Sequence, residues 1–130
     1  MKLSRGYLVS SYLLSDPAES FDDELGKLNR LEDKFAGFNL MLLSPSRKLQ
    51  ALSFDAALVT NHGAGGVVQS RPLSKDERLA GAISNGIDGQ GGNEWPKVKN
   101  GVNFLKEYLG KLPVDTKETE LADHLFDLLT

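Results

Sequence analysis

The distribution of apolar residues over positions 20–35 predicts an amphipathic helix. Apolar side chains recur there with steps of four, three, three and four, which places them on one helical face: Phe21, Leu25, Leu28, Leu31 and Phe35. Ser20 precedes this face as an N-cap, and three acidic residues stand in the first turn, where they favour the helix dipole. Gly37 is the expected end of this helix. A shorter helix is expected over residues 4–14.

Between residues 37 and 84 the pattern changes to short apolar runs separated by turns, which is typical of strands. The runs predict strands over residues 37–43, 48–54, 56–60, 65–69 and 79–84. A turn at Ser44-Pro45-Ser46 joins the first two into a hairpin. Because parallel strands need connections of a dozen or more residues, so many short strands in this span predict an antiparallel or mixed sheet.

Helical spacing returns after Trp95-Pro96. Apolar residues at positions 98, 102, 105 and 109 predict a helix that ends at Gly110 and whose regular part starts at Gly101. An acidic amphipathic helix is expected over about residues 115–130. The order helix, strands, helices predicts an α+β protein in which helices flank central antiparallel strands.

Composition places the chain among ordinary globular proteins. Its 130 residues are 40% hydrophobic and 25% charged, enough for one domain or part of one. The net charge is −3, and neither the acidic residues 113–130 nor the rest of the chain has the basic surplus that nucleic-acid binding requires. Uninterrupted apolar runs such as Leu40–Leu43 are too short to span a membrane. The absence of cysteine excludes disulfides, thiolate metal sites and a cysteine nucleophile in this sequence.

Local motifs taken alone indicate little chemistry. The glycine-rich segments 63–66 and 89–92 match neither G-x-G-x-x-G between a strand and a helix nor GK[ST], so turns with positive φ are the favoured interpretation. His62 and His124 share no metal-ligand spacing. We expect His124 to be solvated on its helix and His62 to be structural or exposed. No G-x-S-x-G elbow is present, and no catalytic residue is assigned.

Five segments occur in an order that resembles one known family: SRGYLVSSYL (4–13), FAGFNLMLL (35–43), VTNH (59–62), ISNG (83–86) and EWPKVKNG (94–101). The chain resembles the transport and Golgi organisation protein 2 family, also called the NRDE family, over about residues 4–110. It departs from the family pattern at Glu94, where proline often precedes the tryptophan, and in the long loop 88–93.

The resemblance implies a fold that is part of a larger one. Family members carry a cysteine directly after the initiator methionine and then an Asn-Arg-Asp-Glu tag, both upstream of the SRG segment. They resemble N-terminal-nucleophile hydrolases, in which two sheets stack between helix layers. Residues 1–130 are therefore expected to form a single but incomplete domain of this layered type. In that chemistry a terminal residue attacks and its own amine is the base, so Ser4 would serve only if residues 1–3 were removed.

The residues that match the family motifs are the candidates for a pocket: Ser4, Arg5, Gly6, Gly37, Phe38, Asn39, Asn61, Ser84, Asn85, Trp95, Pro96, Lys97 and Val98. The glycines are expected to serve backbone geometry, and Phe38 and Val98 the core. The polar side chains are those that would face a ligand. For each asparagine, satisfaction of buried backbone groups is an equally good interpretation.

The resemblance also implies what the protein does. It associates the chain with Golgi organisation, protein secretion and traffic of haem or acyl lipids, in the cytoplasm or at the Golgi or mitochondria. The residues themselves identify no cofactor, and haem enters through the resemblance alone. The strong side-chain ligands for haem iron would be histidine, tyrosine and methionine: His62, His124, Tyr7, Tyr12, Tyr108 and the two methionines.

Three hypotheses remain open from the sequence. The first is a non-catalytic trafficking or binding protein of this family. The second is an N-terminal-nucleophile hydrolase whose start has been assigned wrongly. The third disregards the resemblance and treats the chain as an independent α+β protein-interaction module.

Overall fold

The computed structural model describes residues 4–32, 34–48 and 51–127 and confirms the α+β class. In chain order the elements are α1 (Arg5–Leu13), α2 (Phe21–Asn29), β1 (Asn39–Lys48), β2 (Ala51–Thr60), β3 (Gln69–Pro72), α3 (Lys75–Leu79), a 3-10 turn (Gly92–Glu94), α4 (Pro96–Lys111) and α5 (Glu118–Asp127). Within the described residues the strands form one antiparallel sheet of order β1-β2-β3. A second stacked sheet, as in an N-terminal-nucleophile fold, is not among the described elements.

The sheet packs one face against the first two helices. Leu42 of β1 pairs with Ala57 of β2, and Leu40 pairs with Val59, so these four apolar side chains share that face. Leu8 of α1 and Leu28 of α2 join Leu42 and Val59 in the buried core. Burial of these apolar side chains is the main force that holds the helices on the sheet.

The predicted hairpin is present, but its turn was placed wrongly. Ser44, Pro45 and Ser46 lie inside β1, paired with Asp55, Phe54 and Ser53 of β2. β1 is an edge strand, where the missing N–H of proline need not face a partner. The predicted strands 48–54 and 56–60 are consequently one strand, β2, while residues 49–50 lie outside the described residues.

The last two predicted strands were also wrong. The chain turns over residues 63–66 and β3 begins only at Gln69. Leu79 ends the helix α3, where the Ser74 hydroxyl accepts from the Glu77 N–H and the Glu77 carboxylate accepts from the Ser74 N–H. This capping box outweighs the short apolar run that follows it, and residues 80–84 form no strand.

The predicted start of α2, after Ser20, is confirmed, but its predicted end at Gly37 is wrong. The Ser20 hydroxyl accepts from the Asp23 N–H at 3.1 Å, as an N-cap should. The helix stops at Asn29, and Phe35 reaches the core from an extended segment. Tertiary contacts cause this, because the Asn61 side chain binds the carbonyl groups of Phe35 and Ala36.

The C-terminal helices agree with the helical spacing. α4 begins at Pro96, earlier than Gly101, because proline fits the first position of a helix. α5 is the expected acidic helix, and residues 128–130 lie outside the described residues. No helix in the described part of the chain is long and apolar enough to cross a membrane.

We predict that Gly66→Ala destabilises the protein by more than about 2 kcal/mol, because a β-carbon at this position would lie 1.9 Å from the Asn61 carbonyl oxygen. The matched control is Gly101→Ala in α4, where a β-carbon meets nothing within 4 Å. Alanine there should stabilise the helix by about 0.5–1 kcal/mol. Urea denaturation of both variants measures the difference, and equal effects would contradict this description of the 63–66 turn.

Candidate functional site

A cleft of about 570 Å³ opens between α1, the start of β1 and the loop between α3 and α4. Its apolar surface comes from both sides: Leu8, Val9, Phe38, Leu40, Ile83 and Ile87. Of the described residues that line it, only Arg5 carries a charge. Six of the residues chosen from the family motifs lie on its wall: Arg5, Gly37, Phe38, Asn39, Ser84 and Asn85.

Asn61 does not line the cleft but positions its floor from beneath. Its side chain is completely buried. The Oδ1 atom accepts from the Phe38 N–H at 3.1 Å, and Nδ2 donates to the carbonyl oxygens of Phe35 at 3.2 Å and Ala36 at 3.3 Å. Asn61 therefore serves the backbone, as one of the two interpretations of the asparagines expected, because its amide binds backbone groups that are not paired in the sheet.

Asn39 joins the floor to the opposite wall. Its Nδ2 donates to the carbonyl oxygens of Ser84 at 2.6 Å and Gly86 at 2.8 Å. Its Oδ1 accepts from the buried Thr60 hydroxyl at 2.9 Å, which fixes the orientation of the amide. The loop between α3 and α4 is therefore attached to β1 through the Asn39 side chain and not through backbone pairing with the strand.

An ion-pair cluster holds the same loop from outside the cleft. Arg71 of β3 donates through Nε and Nη2 to the Asp88 carboxylate at 2.7 and 2.9 Å, and through Nη1 and Nη2 to Glu77 at 2.9 and 2.8 Å. These hydrogen bonds lower the pKa of Glu77 to about 2 and lower the pKa of Asp88. The same contacts raise the pKa of Arg71.

Arg5 stands where the cleft meets a second depression. Its Nη1 donates to the Gly37 carbonyl oxygen at 3.3 Å. The second depression is lined by Ser4, Arg5, Lys34, Phe35, Ala36, Ala64 and Gly65, so it adds a second cation and a hydroxyl. Positive charge therefore concentrates at this end of the apolar cleft.

The remaining motif residues lie near the cleft without lining it. The Trp95 ring packs against Gly86, 3.6 Å from the place where a β-carbon would stand. The Lys97 ammonium lies 4.9 Å from the centre of that ring, a cation–π contact. Pro96 starts α4 and Gly6 lies in α1. Val98 is buried, as expected.

The histidines play local roles. His62 has a φ of 50°, and its Nε2 lies 3.0 Å from Gln69 Oε1. His124 contacts the Tyr108 ring, at 5.4 Å between ring centres, and 38% of its side chain is exposed to solvent. Gly63, Gly65, Gly89 and Gly91 have positive φ, as the turn interpretation requires.

The cleft does not suit haem that is held through its iron. No histidine, tyrosine or methionine is among its lining residues in the described chain. The described residues also contain no group of three or more His, Asp or Glu side chains that would hold a metal ion.

Several residues that shape the site were not found by sequence reasoning. Thr60, Arg71, Glu77 and Asp88 are all in this group. Two of them had a recognisable signal: Glu77 has the capping-box spacing from Ser74, and Thr60 lies in the family segment 59–62. An ion pair between a strand residue, Arg71, and a loop residue 17 positions further on, Asp88, has no sequence spacing that would reveal it.

The fold and the site define a class of α+β protein with a mainly apolar surface cleft that is cationic at one end. The family model described as Transport and Golgi organisation 2 matches residues 1–130, and the chain belongs to this family. No curated protein sequence and no solved structure matches the chain.

We predict that Asn61→Ala costs about 1–3 kcal/mol of stability, because it removes three hydrogen bonds to the backbone. The Phe38 N–H and the Ala36 carbonyl lose this partner, while the Phe35 carbonyl keeps its bond to the Gly65 N–H. Asn103→Ala, at an exposed position of α4, is the matched control and should change stability by less than about 0.5 kcal/mol. Chemical denaturation measures both, and similar values for the two variants would contradict the buried role of Asn61.

We predict that Arg71→Met removes about 1 kcal/mol at pH 7, a value kept small by partial exposure of the pairs. The pKa of Glu77 is lowered from 4.5 to about 2 on folding, so its contribution is present above 4.5 and is lost as pH falls towards 2. The stability difference between the wild type and the variant should therefore shrink over that range.

Denaturation midpoints measured between about pH 7 and pH 2.5 follow this difference. Arg30→Met, at an exposed arginine just after α2, is the control and should give a curve parallel to the wild type. A constant difference between the wild type and Arg71→Met at every pH would contradict the ion-pair cluster as the cause.

Proposed function

We propose that this chain is a non-catalytic binding protein that holds an amphipathic, acyl-type anion in the cleft. The observation that carries the proposal is the distribution of polarity: apolar side chains line the cleft and Arg5 alone supplies charge among the described lining residues. An acyl chain would bury apolar surface against Val9 and Ile83, which are 41% and 39% exposed, and its acidic group would pair with Arg5.

The lining residues support binding better than hydrolysis. Ser84 is the one lining residue with a hydroxyl, and its Oγ accepts from the Gly86 N–H at 3.2 Å. No His, Asp or Glu side chain belongs to the described lining, so Ser84 has no neighbouring general base there. Ser4 lies in the adjoining depression with Arg5 and Lys34, and no His, Asp or Glu side chain is among the described residues that line it.

The family supplies the cellular setting of the proposal. Its description, transport and Golgi organisation, supports a role in moving such a ligand between intracellular compartments. We propose a cytoplasmic location with association to the Golgi or mitochondria. In that setting the cleft would shield the acyl chain from water during transfer. Haem as a cargo is disfavoured by the lack of an axial ligand in the described lining.

We predict that the chain binds the fluorescent fatty acid cis-parinarate and that Val9→Asp weakens this binding by about tenfold or more, because it brings a carboxylate against the apolar chain. Val9 is 41% exposed, so the substitution at the cleft mouth should leave the fold intact. Val67→Asp is the control, since Val67 is 67% exposed and lies outside the cleft.

Arg5→Met tests the polar end of the same site. It should weaken binding of cis-parinarate but leave binding of its uncharged methyl ester unchanged, because only the acid pairs with the guanidinium. Absence of saturable binding to the wild type, or equal weakening by Val9→Asp and Val67→Asp, would overturn the proposed function. Cleavage of an acyl thioester that is lost in Ser4→Ala would establish the hydrolase instead.

A further inference from the structure

The loop over residues 80–95, here called the wall loop, forms one side of the cleft and belongs to no strand ladder of the described residues. Residues 83–87 face the cleft, and Ile83 at its mouth is 39% exposed. Side chains from the sheet hold this segment in place at two points. The Trp95 ring also packs on Gly86, and the Ile87 side chain lies 3.5 Å from the position of a β-carbon at Gly63. Because no strand pairing adds to these contacts, this wall opens at a lower free energy than a wall built from paired strands.

The first point of attachment lies inside the cleft. The Asn39 amide donates to the carbonyl oxygens of Ser84 and Gly86, at 2.6 and 2.8 Å. Asn39 is itself held by the buried Thr60 hydroxyl and stays with the sheet when the loop moves. Both bonds can be exchanged for bonds to water, since Asn39 is only half-buried.

The second point of attachment is ionic and lies behind the wall. The Asp88 carboxylate receives two hydrogen bonds from Arg71, and its side chain is 13% exposed. Arg71 is also bound to Glu77 of α3, the helix that precedes the wall loop. Arg71 therefore remains anchored to Glu77 when Asp88 is released, and it is available to bind Asp88 again.

Glycines stand on both sides of the segment between these attachments. Gly81 precedes it and lies close against α3, where a β-carbon would be 2.7 Å from the Glu77 carbonyl oxygen. Gly89 and Gly91 follow it with φ values of 75° and 78°. A β-carbon at either Gly89 or Gly91 would meet nothing within 4 Å, so the backbone has room to move there. Changes of φ and ψ at a few such positions are how loops close and open over binding sites.

We propose that residues 82–88 form a gate at one side of the cleft, which the Arg71–Asp88 ion pair holds in place and which moves away about Gly89 and widens the cleft when that pair breaks. The gate regulates access to the site of the proposed function, and it rests on that function only for the nature of the molecule that enters. Its opening is measurable without any ligand.

The absence of cysteine in the chain makes a direct test of access possible. Leu40→Cys places one thiol on the cleft wall, here called the cleft thiol. Leu28→Cys places one in the core outside the cleft, here called the core thiol, as a reporter of global unfolding. The rate at which the neutral reagent iodoacetamide labels each thiol is measured in two proteins, one with Asp88 intact and one that also carries Asp88→Asn. Asp76→Asn is the control for loss of one negative charge, because Asp76 lies in α3 near the wall loop but outside the ion-pair cluster.

Asp88→Asn should speed labelling of the cleft thiol by about tenfold and leave labelling of the core thiol unchanged, whereas Asp76→Asn should change neither rate. Unchanged labelling of the cleft thiol would overturn the gate, and equal acceleration at both thiols would show global loosening and overturn it as well. If Asp88→Asn fails to fold, the salt dependence of labelling in the protein with Asp88 intact tests the gate instead. High NaCl should accelerate labelling of the cleft thiol there through weakening of the ion pair, and an unchanged rate contradicts the gate.

A ligand experiment separates this proposal from the proposed function. In stopped-flow measurements with cis-parinarate, Asp88→Asn should raise the association and dissociation rates together and change Kd little. Faster labelling without any cis-parinarate binding would support the gate and overturn the proposed ligand. Faster labelling with unchanged ligand rates would show that ligand does not pass the gate, and would overturn its regulatory role.

Discussion

The side-chain amide of Asn61 is the contact on which the rest of the site depends. It lies at the end of β2 and binds three backbone groups of the segment that leads from α2 into β1. That segment carries Phe35 into the core and Phe38 to the cleft, with the two rings in an edge-to-face contact at 6.0 Å. An apolar residue could not replace the amide, because all three hydrogen bonds would be lost and only the Phe35 carbonyl would keep another donor, the Gly65 N–H.

Beyond this contact, the cleft is assembled by side chains that bind the backbone of loops. Asn39 reaches across to the wall loop, and Arg71 holds the same loop from behind. The described β-sheet provides a rigid base for both, since each lies on a strand. A site built in this way combines a floor on the sheet with a wall whose position depends on a few polar contacts. This combination suits the proposed binding of a bulky apolar ligand.

The sequence was sufficient where local chemistry and periodicity decide the structure. The N-cap at Ser20, the hairpin and the C-terminal helices all follow from residue spacing and short-range hydrogen bonds. Prediction failed where distant contacts decide. Phe35 continues the helical spacing of α2, yet Asn61 holds its carbonyl group in an extended segment. Pro45 reads as a turn residue, but an edge strand tolerates it. No pattern of spacing indicated that Asp88 and Arg71 meet.

The five segments that resemble the family are distant in sequence but form one chain of contacts. Arg5 binds the Gly37 carbonyl group, and Asn61 binds the Phe38 N–H. Asn39 binds Ser84 and Gly86, and the Trp95 ring packs on Gly86. Core packing alone does not call for this arrangement, because Arg5 is exposed and Asn39 is only half-buried. A molecule that binds there would explain surface residues that share one cleft, and for that reason we propose the cleft, and not the exposed helices, as the binding site of this chain.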